Sequence, residues 1–553
     1  MRLRIFLVVA VLIGLGVVVA GWLWRGSKAG ADGRTGFSDL KFEMPKGAEA
    51  KLAAVGEGAG GADHEAGVPK GMVSRLRGLF GQQGVRAGEG LLTFASEAAY
   101  RDFLTRAKAA GVSVLGGLEG LRAVRVRVED FDRFARELQG YAGAYEAISA
   151  NPILQAPKPP VAEERSSSGQ VPVGDKLLAT LGVTGDNSSW GKGVLIAVLD
   201  SGVAADMAFG SRLQSLDIGL GVAGSGGLDA THGTAVASLA AGADGGAGGA
   251  RGVAPAADIL SIRVTDTAGT SDVFTVAQAI MAAVDAGAEV INVSLGGYAT
   301  AGVLARAIEY AQAGGAVVVA SAGNDQAGQL VWPAAYAQVI SVGAVDALGQ
   351  QMAFSNSGEQ LRLTAPGYAI TAAAGEGKRV YFSGTSASAP VVAGAVAALL
   401  STDPGLTAAE AAQVLQSYAN DGGAAGNDPN YGNGVVNLGW AMDRNNASRV
   451  DGAVSGYNYD ARSHSLEVVV QNRGARVLSG AELTVNVSGR VLTFGLSSIA
   501  PGASGAVRVP MSGVSGLGGG DTNGAVIISE LRMPSGVVDQ VPQNNRASAT
   551  LSR

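Results

Sequence analysis

The stretch Ser383-Gly384-Thr385-Ser386-Ala387-Ser388-Ala389-Pro390-Val391-Val392-Ala393-Gly394 decides how the rest of the chain is read. A small, glycine-bearing turn leads into an apolar run that reaches about Leu400. The run predicts a helix with Pro390 in its first turn, where a missing N–H costs little. Ser386 then stands at a helix N-terminus. Its hydroxyl is accessible there, beside unpaired backbone N–H groups and the positive end of the helix dipole, a setting that can stabilise an oxyanion. Taken alone, a serine here is more simply read as the N-cap of a buried helix.

A serine nucleophile needs a base, and the chain offers three histidines, His64, His232 and His464. His64 sits in a polar, glycine-rich tract and His464 in a polar turn before a late strand. His232 opens Thr231-His232-Gly233-Thr234-Ala235-Val236-Ala237-Ser238, a small-residue helix with the imidazole at its entry. The base in turn needs an orienting carboxylate. Asp200 ends the apolar run Val194 to Leu199, which predicts a buried parallel strand, and functional groups of open α/β sheets sit at strand C-terminal ends. Singly, Asp200 is a turn former and His232 a core histidine; together with Ser386 they form a coherent set.

From about Val171 to Ala441 the chain resembles the subtilisin-like serine peptidases, the subtilases. Asp200, His232 and Ser386 follow that family's order. The resemblance continues through Arg251-Gly252-Val253-Ala254-Pro255, Val290-Ile291-Asn292-Val293-Ser294-Leu295-Gly296-Gly297, Val317-Val318-Val319-Ala320-Ser321-Ala322-Gly323-Asn324 and Thr364-Ala365-Pro366-Gly367. It implies a Ser386 nucleophile, a His232 base, an orienting Asp200 and an oxyanion hole from the Asn324 amide and the Ser386 N–H. It also implies that Ser294-Leu295-Gly296 pairs with substrate backbone and, with Ser321-Ala322-Gly323, walls the first specificity pocket. Apolar or uncharged residues are expected before the scissile bond.

Composition agrees with this and says less. A chain of 553 residues with 47 % hydrophobic content exceeds one ordinary domain and can bury a sizeable core. A formal net charge of -6 gives no support for nucleic-acid binding. With no cysteine, disulfides, thiolate metal sites and a cysteine nucleophile are excluded.

In chain order, residues 1–28 read as a signal peptide or membrane anchor. Arg2 and Arg4 precede a charge-free run from Ile5 to Trp24, 20 residues, just long enough to span a bilayer. Val18 and Ala20 offer a small-residue cleavage site, while Trp22, Trp24, Arg25 and Lys28 suit a retained anchor at the interface. The flanking positive charges are too balanced to set the orientation, and it is the resemblance to the subtilases that implies an extracytoplasmic protein, either membrane-anchored or secreted. Residues 29–90 read as a Gly/Ala-rich spacer with a short helix near Val73 to Phe80.

Residues 91–156 give the order β-α-β-β-α-β. The strand Leu91 to Phe94 meets Ser96 as an N-cap, and Tyr100, Phe103, Leu104 and Ala107 recur at helical spacing. Val112 to Leu115 and Leu121 to Val128 form a hairpin, Phe131, Phe134, Ala135 and Leu138 a second helix, and Tyr145 to Ile148 the last strand. This is a ferredoxin-like α+β pattern. In position and pattern it resembles the subtilase inhibitory propeptide, with Ala150 to Ala156 as the tail in the substrate cleft; an ordinary α+β domain without inhibitory role is the alternative. Residues 157–170, with Pro157-Lys158-Pro159-Pro160 and Ser166-Ser167-Ser168-Gly169, form a linker suited to self-cleavage.

Residues 171–445 alternate apolar strands with small-residue helices, which predicts a mostly parallel sheet flanked by helices. Strands are expected near Leu195 to Leu199, Asp258 to Val264, Val290 to Val293, Ala316 to Ala320 and Val339 to Val342. Helices are expected after His232, over Val273 to Ala286 and Ala301 to Ala313, and after Ser386. Residues 450–553 read as a small immunoglobulin-like β-sandwich, with strands at Leu466 to Val470, Glu482 to Val487, Val491 to Leu496, Ala506 to Val509 and Ala525 to Leu531. A solubilising or spacer role and an adhesive one are both open for it.

Three departures from the family pattern stand out. Ala387 follows the nucleophile where methionine is common, which lowers sensitivity to oxidation. Ala235 replaces a second, non-catalytic histidine. The loop Ala243 to Arg251, a calcium site in many relatives, carries Asp244 as its one acidic residue, so calcium there is not expected and no other cofactor is implied. Two function classes follow. One is an exported serine endopeptidase that acts on polypeptides and is held by its own propeptide. The other is a catalytically silent surface-binding protein that reuses the scaffold and the C-terminal sandwich.

Overall fold

The computed structural model describes residues 71–157, 170–216, 218, 230–243, 251–512, 514 and 524–551. The expectations for residues 1–28, for most of the 29–90 spacer and its His64, for most of the 157–170 linker and for the loop bearing Asp244 lie outside the described residues.

The chain folds in three successive layers of structure. The first opens with helix α1 (Met72–Phe80), whose Leu76 and Phe80 enter a core with Leu92, Phe94, Phe103, Val124, Val126 and Phe134. The spacer expected through Gly90 therefore ends earlier than expected. Strands β1 (Val85–Phe94), β2 (Val112–Leu118), β3 (Ala123–Val128) and β4 (Tyr145–Gln155) and helices α2 (Glu97–Arg106) and α3 (Phe131–Gly140) follow in the expected order. The sheet order β2-β3-β1-β4 is antiparallel throughout, which is the ferredoxin-like arrangement. Ser96 caps α2 by accepting from the Ala99 N–H at 3.1 Å, as its position before an apolar-periodic run predicts.

The central layer is a seven-stranded parallel sheet of order β12-β11-β10-β9-β5-β7-β6. Its strands are β5 (Leu195–Asp200), β6 (Leu213–Leu216), β7 (Asp258–Arg263), β9 (Val290–Val293), β10 (Val317–Ser321), β11 (Ile340–Val345) and β12 (Leu363–Pro366). Along β5, Ile196 and Val198 join a core with helices α4 (Thr231–Ala241) and α7 (Thr385–Thr402), while Ala197 and Leu199 alternate to the other face and are equally buried. That second face meets helices α5 (Val273–Asp285) and α6 (Gly302–Ala313), which pack on each other. A sheet buried on both faces has no polar side to signal alternation, hence the continuous apolar runs. Short β8 (Thr270–Asp272) leads into α5, the hairpin β13 (Ile370–Gly375) and β14 (Lys378–Phe382) leads into α7, and α8 (Ala408–Ser417) follows α7.

The last layer is a sandwich of two antiparallel sheets. One is β15 (Gly452–Asp460), β16 (Ser465–Asn472) and β19 (Ser504–Pro510); the other is β17 (Glu482–Val487), β18 (Arg490–Gly495), β20 (Ala525–Arg532) and β21 (Arg546–Leu551). The sandwich docks on the central domain. Gln471 of β16 accepts from the Asp421 N–H at 3.1 Å and donates to the Ala419 carbonyl at 3.0 Å. Arg473 lies buried beside this contact, and desolvation pulls its guanidinium down to about 10 despite Asp451 nearby.

Candidate active site

Three neighbouring strands of the sheet, β5, β9 and β10, end side by side, and each delivers its functional residues from its C-terminal end. Asp200 closes β5, Ser294 to Gly296 follow β9, and Ser321 to Asn324 close and follow β10. The two helices on one face add the remainder. His232 is the second residue of α4, and Ser386 the second of α7.

Asp200 is 1 % exposed, and its Oδ1 lies 2.7 Å from His232 Nδ1. The same oxygen accepts from the Ser201 N–H at 2.7 Å, which fixes the carboxylate against rotation. Gly233 follows His232 because α4 enters closely: a Cβ there would lie 2.2 Å from the Gly202 carbonyl oxygen. Phe382 meets the imidazole edge to face, with centroids 5.2 Å apart and planes at 79°. The imidazole is thus held by a carboxylate at Nδ1 and by an aromatic ring at its side.

Pro390 is the sixth residue of α7, one turn deeper than the sequence reading set it. Its missing N–H leaves the Ser386 carbonyl without its helical donor. The Ser294 hydroxyl lies 3.4 Å from that carbonyl oxygen and donates to it, while the Ser386 hydroxyl donates to the Ser294 carbonyl at 3.3 Å. The nucleophile candidate is thereby tied to the expected substrate edge by two reciprocal bonds. Asn292 donates to the Ser294 hydroxyl at 2.9 Å and completes the chain.

Asn324 is oriented by its neighbour in space, Thr385. The Thr385 N–H and hydroxyl both donate to Asn324 Oδ1, at 2.9 and 2.8 Å. With its oxygen so occupied, the amide must present Nδ2, the donor end, on the other side. Gly384 lies on that side at φ +127°, and a Cβ there would sit 2.9 Å from Nδ2, so only glycine leaves the donor unobstructed. Gly323 at φ +110° makes the preceding turn, and its N–H donates to the Thr385 hydroxyl at 3.2 Å.

The expected pocket wall and substrate edge are joined. Gly297 and Trp332 exchange backbone bonds at 3.2 and 2.8 Å, and the Val331 N–H reaches the Ala322 carbonyl at 3.1 Å. Leu295, Ser321 and Ala322 are buried behind that surface. Gly296 is required here, since a Cβ would come within 2.5 Å of Val331.

The end of β4 pairs along this edge. The expected tail is no separate segment: β4 runs unbroken from Tyr145 to Gln155. Gln155 pairs with Gly296 on one side, and Ile153 to Gln155 pair antiparallel with β8 on the other. Leu154 is fully buried. The first domain holds on elsewhere as well: Arg86 meets Asp272 at 3.2 Å, Asn151 accepts from the Phe274 N–H at 3.3 Å, and Arg306 donates to the Leu121 carbonyl at 2.7 Å. Asp272 also caps α5 through the Thr275 N–H at 3.0 Å.

Sequence reasoning missed Thr385, Phe382 and β8. Thr385 was visible as part of the Ser386 turn, but its partner Asn324 lies 61 residues away. His464 stands apart from these residues, in the turn between β15 and β16 beside Tyr459. Among the described residues, no group of three or more histidine or acidic side chains is gathered to hold a metal ion.

The model of the subtilase family matches residues 191–434. The thermophilic serine proteinase of Bacillus sp. strain AK1 is 40 % identical over 201 residues, which cover 36 % of this chain and 50 % of that protein. Subtilisin DY of Bacillus licheniformis is 34 % identical over 257 residues, which cover 45 % of this chain and 90 % of the subtilisin. This chain belongs to the subtilase family. The fold likeness extends beyond the matched segment. Fervidolysin of Fervidobacterium pennivorans, a keratinolytic enzyme related to subtilisin, aligns with TM-score 0.55 at 22 % identity and covers 85 % of this subtilase and 77 % of fervidolysin.

Proposed function

We propose that this subtilase is an exported serine endopeptidase, made as a precursor whose N-terminal domain blocks its own cleft. The observation that carries the proposal is the Asp200–His232 pair at 2.7 Å, together with an Asn324 amide whose oxygen is already bound by Thr385, the residue before Ser386. In this reading Ser386 attacks the scissile carbonyl while His232 takes its proton and passes it to the leaving amine. Asp200 holds the imidazole tautomer and stabilises the imidazolium. The Asn324 Nδ2 and the Ser386 N–H receive the tetrahedral oxyanion; loss of one such donor costs on the order of 3 kcal/mol, a size known for subtilisin itself.

Polypeptides are the substrates, and Ser294 to Gly296 bind them by backbone pairing, which reads little sequence. The Gln155–Gly296 pair and the pairing of β4 with β8 support the inhibitory role of the first domain. Export rests on the sequence of residues 1–24, as does either anchoring or release. The test is hydrolysis of an unfolded polypeptide by the purified protein and by Ser386→Ala, after the N-terminal domain has been removed from both with an added protease that is then inactivated. Cleavage by the first and not the second is expected; equal absence of cleavage refutes the proposal and leaves the binding-protein reading.

A further inference from the structure

The end of β4 bears on where this chain cuts itself, and the argument rests on the peptidase reading above. Gln155 and Gly296 exchange both backbone bonds, each at 2.9 Å, across an antiparallel pair. In an antiparallel ladder such mutually bonded pairs recur every second residue, one chain counted forward and the other back. Two residues beyond Gln155 is Pro157, and two before Gly296 is Ser294. The carbonyl of that same Ser294 accepts the Ser386 hydroxyl at 3.3 Å. Leu154, fully buried, and Ala156, whose N–H donates to the Gly269 carbonyl at 2.9 Å, fix the strand on its other side. Continued by one more step, the same register would set Pro157 opposite Ser294, the residue that touches the nucleophile.

We infer that Ser386 cuts this chain after Pro157, and that Pro157 itself makes this first cut slow. Any other residue opposite Ser294 would donate its N–H to the Ser294 carbonyl and complete the ladder; proline has none to give. The Ser294 carbonyl instead takes its bond from the Ser386 hydroxyl, the group that has to attack. In the cut, the bond from Ser386 Oγ to the Pro157 carbonyl carbon forms as the bond from that carbon to the next nitrogen breaks. The Ser386 proton travels through His232 to that nitrogen, which leaves as a new N-terminal amine. Water then hydrolyses the ester and restores the Ser386 hydroxyl, and the released piece ends Leu154-Gln155-Ala156-Pro157. A slow first cut keeps the precursor closed for longer than the strength of the mature site alone would allow.

The test uses the full chain, as it stands and as Pro157→Ala and Ser386→Ala, with the masses of the fragments followed over time. Neither Pro157 nor Ser386 falls within β4, which ends at Gln155. The expected N-terminal fragment of the unaltered chain ends at Pro157. Pro157→Ala is expected to cut at the same place about tenfold faster, equivalent to one hydrogen bond of about 1.4 kcal/mol, and Ser386→Ala to stay whole. A fragment ending elsewhere, or equal rates with and without Pro157, overturns the inference. If Pro157→Ala stays whole yet takes a fluorophosphonate at Ser386 once its N-terminal domain is removed by an added protease, the register reading fails and the peptidase reading stands. If no fluorophosphonate is taken, both fail.

Discussion

Thr385→Val removes one hydroxyl and leaves the backbone in place. In the native site that hydroxyl donates to Asn324 Oδ1 at 2.8 Å and accepts from the Gly323 N–H at 3.2 Å. One of the two bonds that orient the Asn324 amide is lost, and the other, from the Thr385 N–H at 2.9 Å, remains. A net hydrogen bond of about 0.5–1.5 kcal/mol corresponds to a fall in kcat of about 2- to 12-fold. The Gly323 N–H is also left without its acceptor in a buried place, which costs about 1–3 kcal/mol of stability. The assay is kcat and KM on a peptide substrate, with unfolding measured in a Ser386→Ala background to prevent self-digestion. Because the oxyanion exists only in the transition state, kcat and kcat/KM should fall together while KM holds, and Thr385→Ser should restore kcat to within about twofold. An unchanged kcat, or a loss seen in KM alone, would refute the view that Thr385 sets the amide for the oxyanion.

Asp200→Asn preserves the shape of the pair with His232 but offers Nδ1 no anionic acceptor, so kcat should drop by about 10⁴ with inhibitor binding intact; a loss under tenfold contradicts the role given to Asp200. Gly296→Ala forces a Cβ to within 2.5 Å of Val331 and 2.8 Å of the Trp332 carbonyl, which must displace the substrate edge. KM for peptides long enough to pair with that edge should rise at least about tenfold, and much less for a single-residue ester. Burial pushes the Asp421 carboxyl above the usual range, against the Gly426 N–H and Arg473, which pull it down. The fold therefore holds that proton more tightly than the unfolded chain, so the group's contribution to stability is complete below the ordinary carboxylate range and is lost as pH rises through the raised value. Asp421→Asn keeps an acceptor for Gly426 and should match the parent at low pH and exceed it increasingly towards neutrality; a flat or inverted difference in Tm refutes the sign.

What could be read in advance followed from residues whose meaning is local. Apolar runs of strand length marked β5, β9 and β10, and the end of β5 marked Asp200 as a place where chemistry collects, whereas Ser294 and Asn324 were named through the resemblance to the subtilases. Burial on both faces of the sheet is what made those runs continuous. The misreadings have equally particular causes. The first strand was begun at Leu91 rather than Val85, because Gly88 and Gly90 break its alternation, and Gly90 is there to admit the ring of Phe80 within 2.9 Å of where a Cβ would stand. β4 was ended at Ile148 and Ala150 to Ala156 read as a separate tail, yet Asn151 is wholly buried within the strand, with its side chain shared between Glu89 and the N-terminus of α5. Strands β15 and β21 went unseen because their alternation is carried by glycine, serine, alanine and tyrosine rather than by strong hydrophobes. Thr385 and Phe382 act on Asn324 and His232, each brought close only by the fold.

The central claim is that Ser386 is a nucleophile activated by His232. The most direct measurement is the mass of the Ser386-containing peptide after the full chain, freed of its N-terminal domain by an added and then inactivated protease, is treated with a fluorophosphonate. A stoichiometric phosphonyl group on Ser386, lost in His232→Ala, is the predicted result. An unmodified Ser386, or modification that survives His232→Ala undiminished, would contradict it.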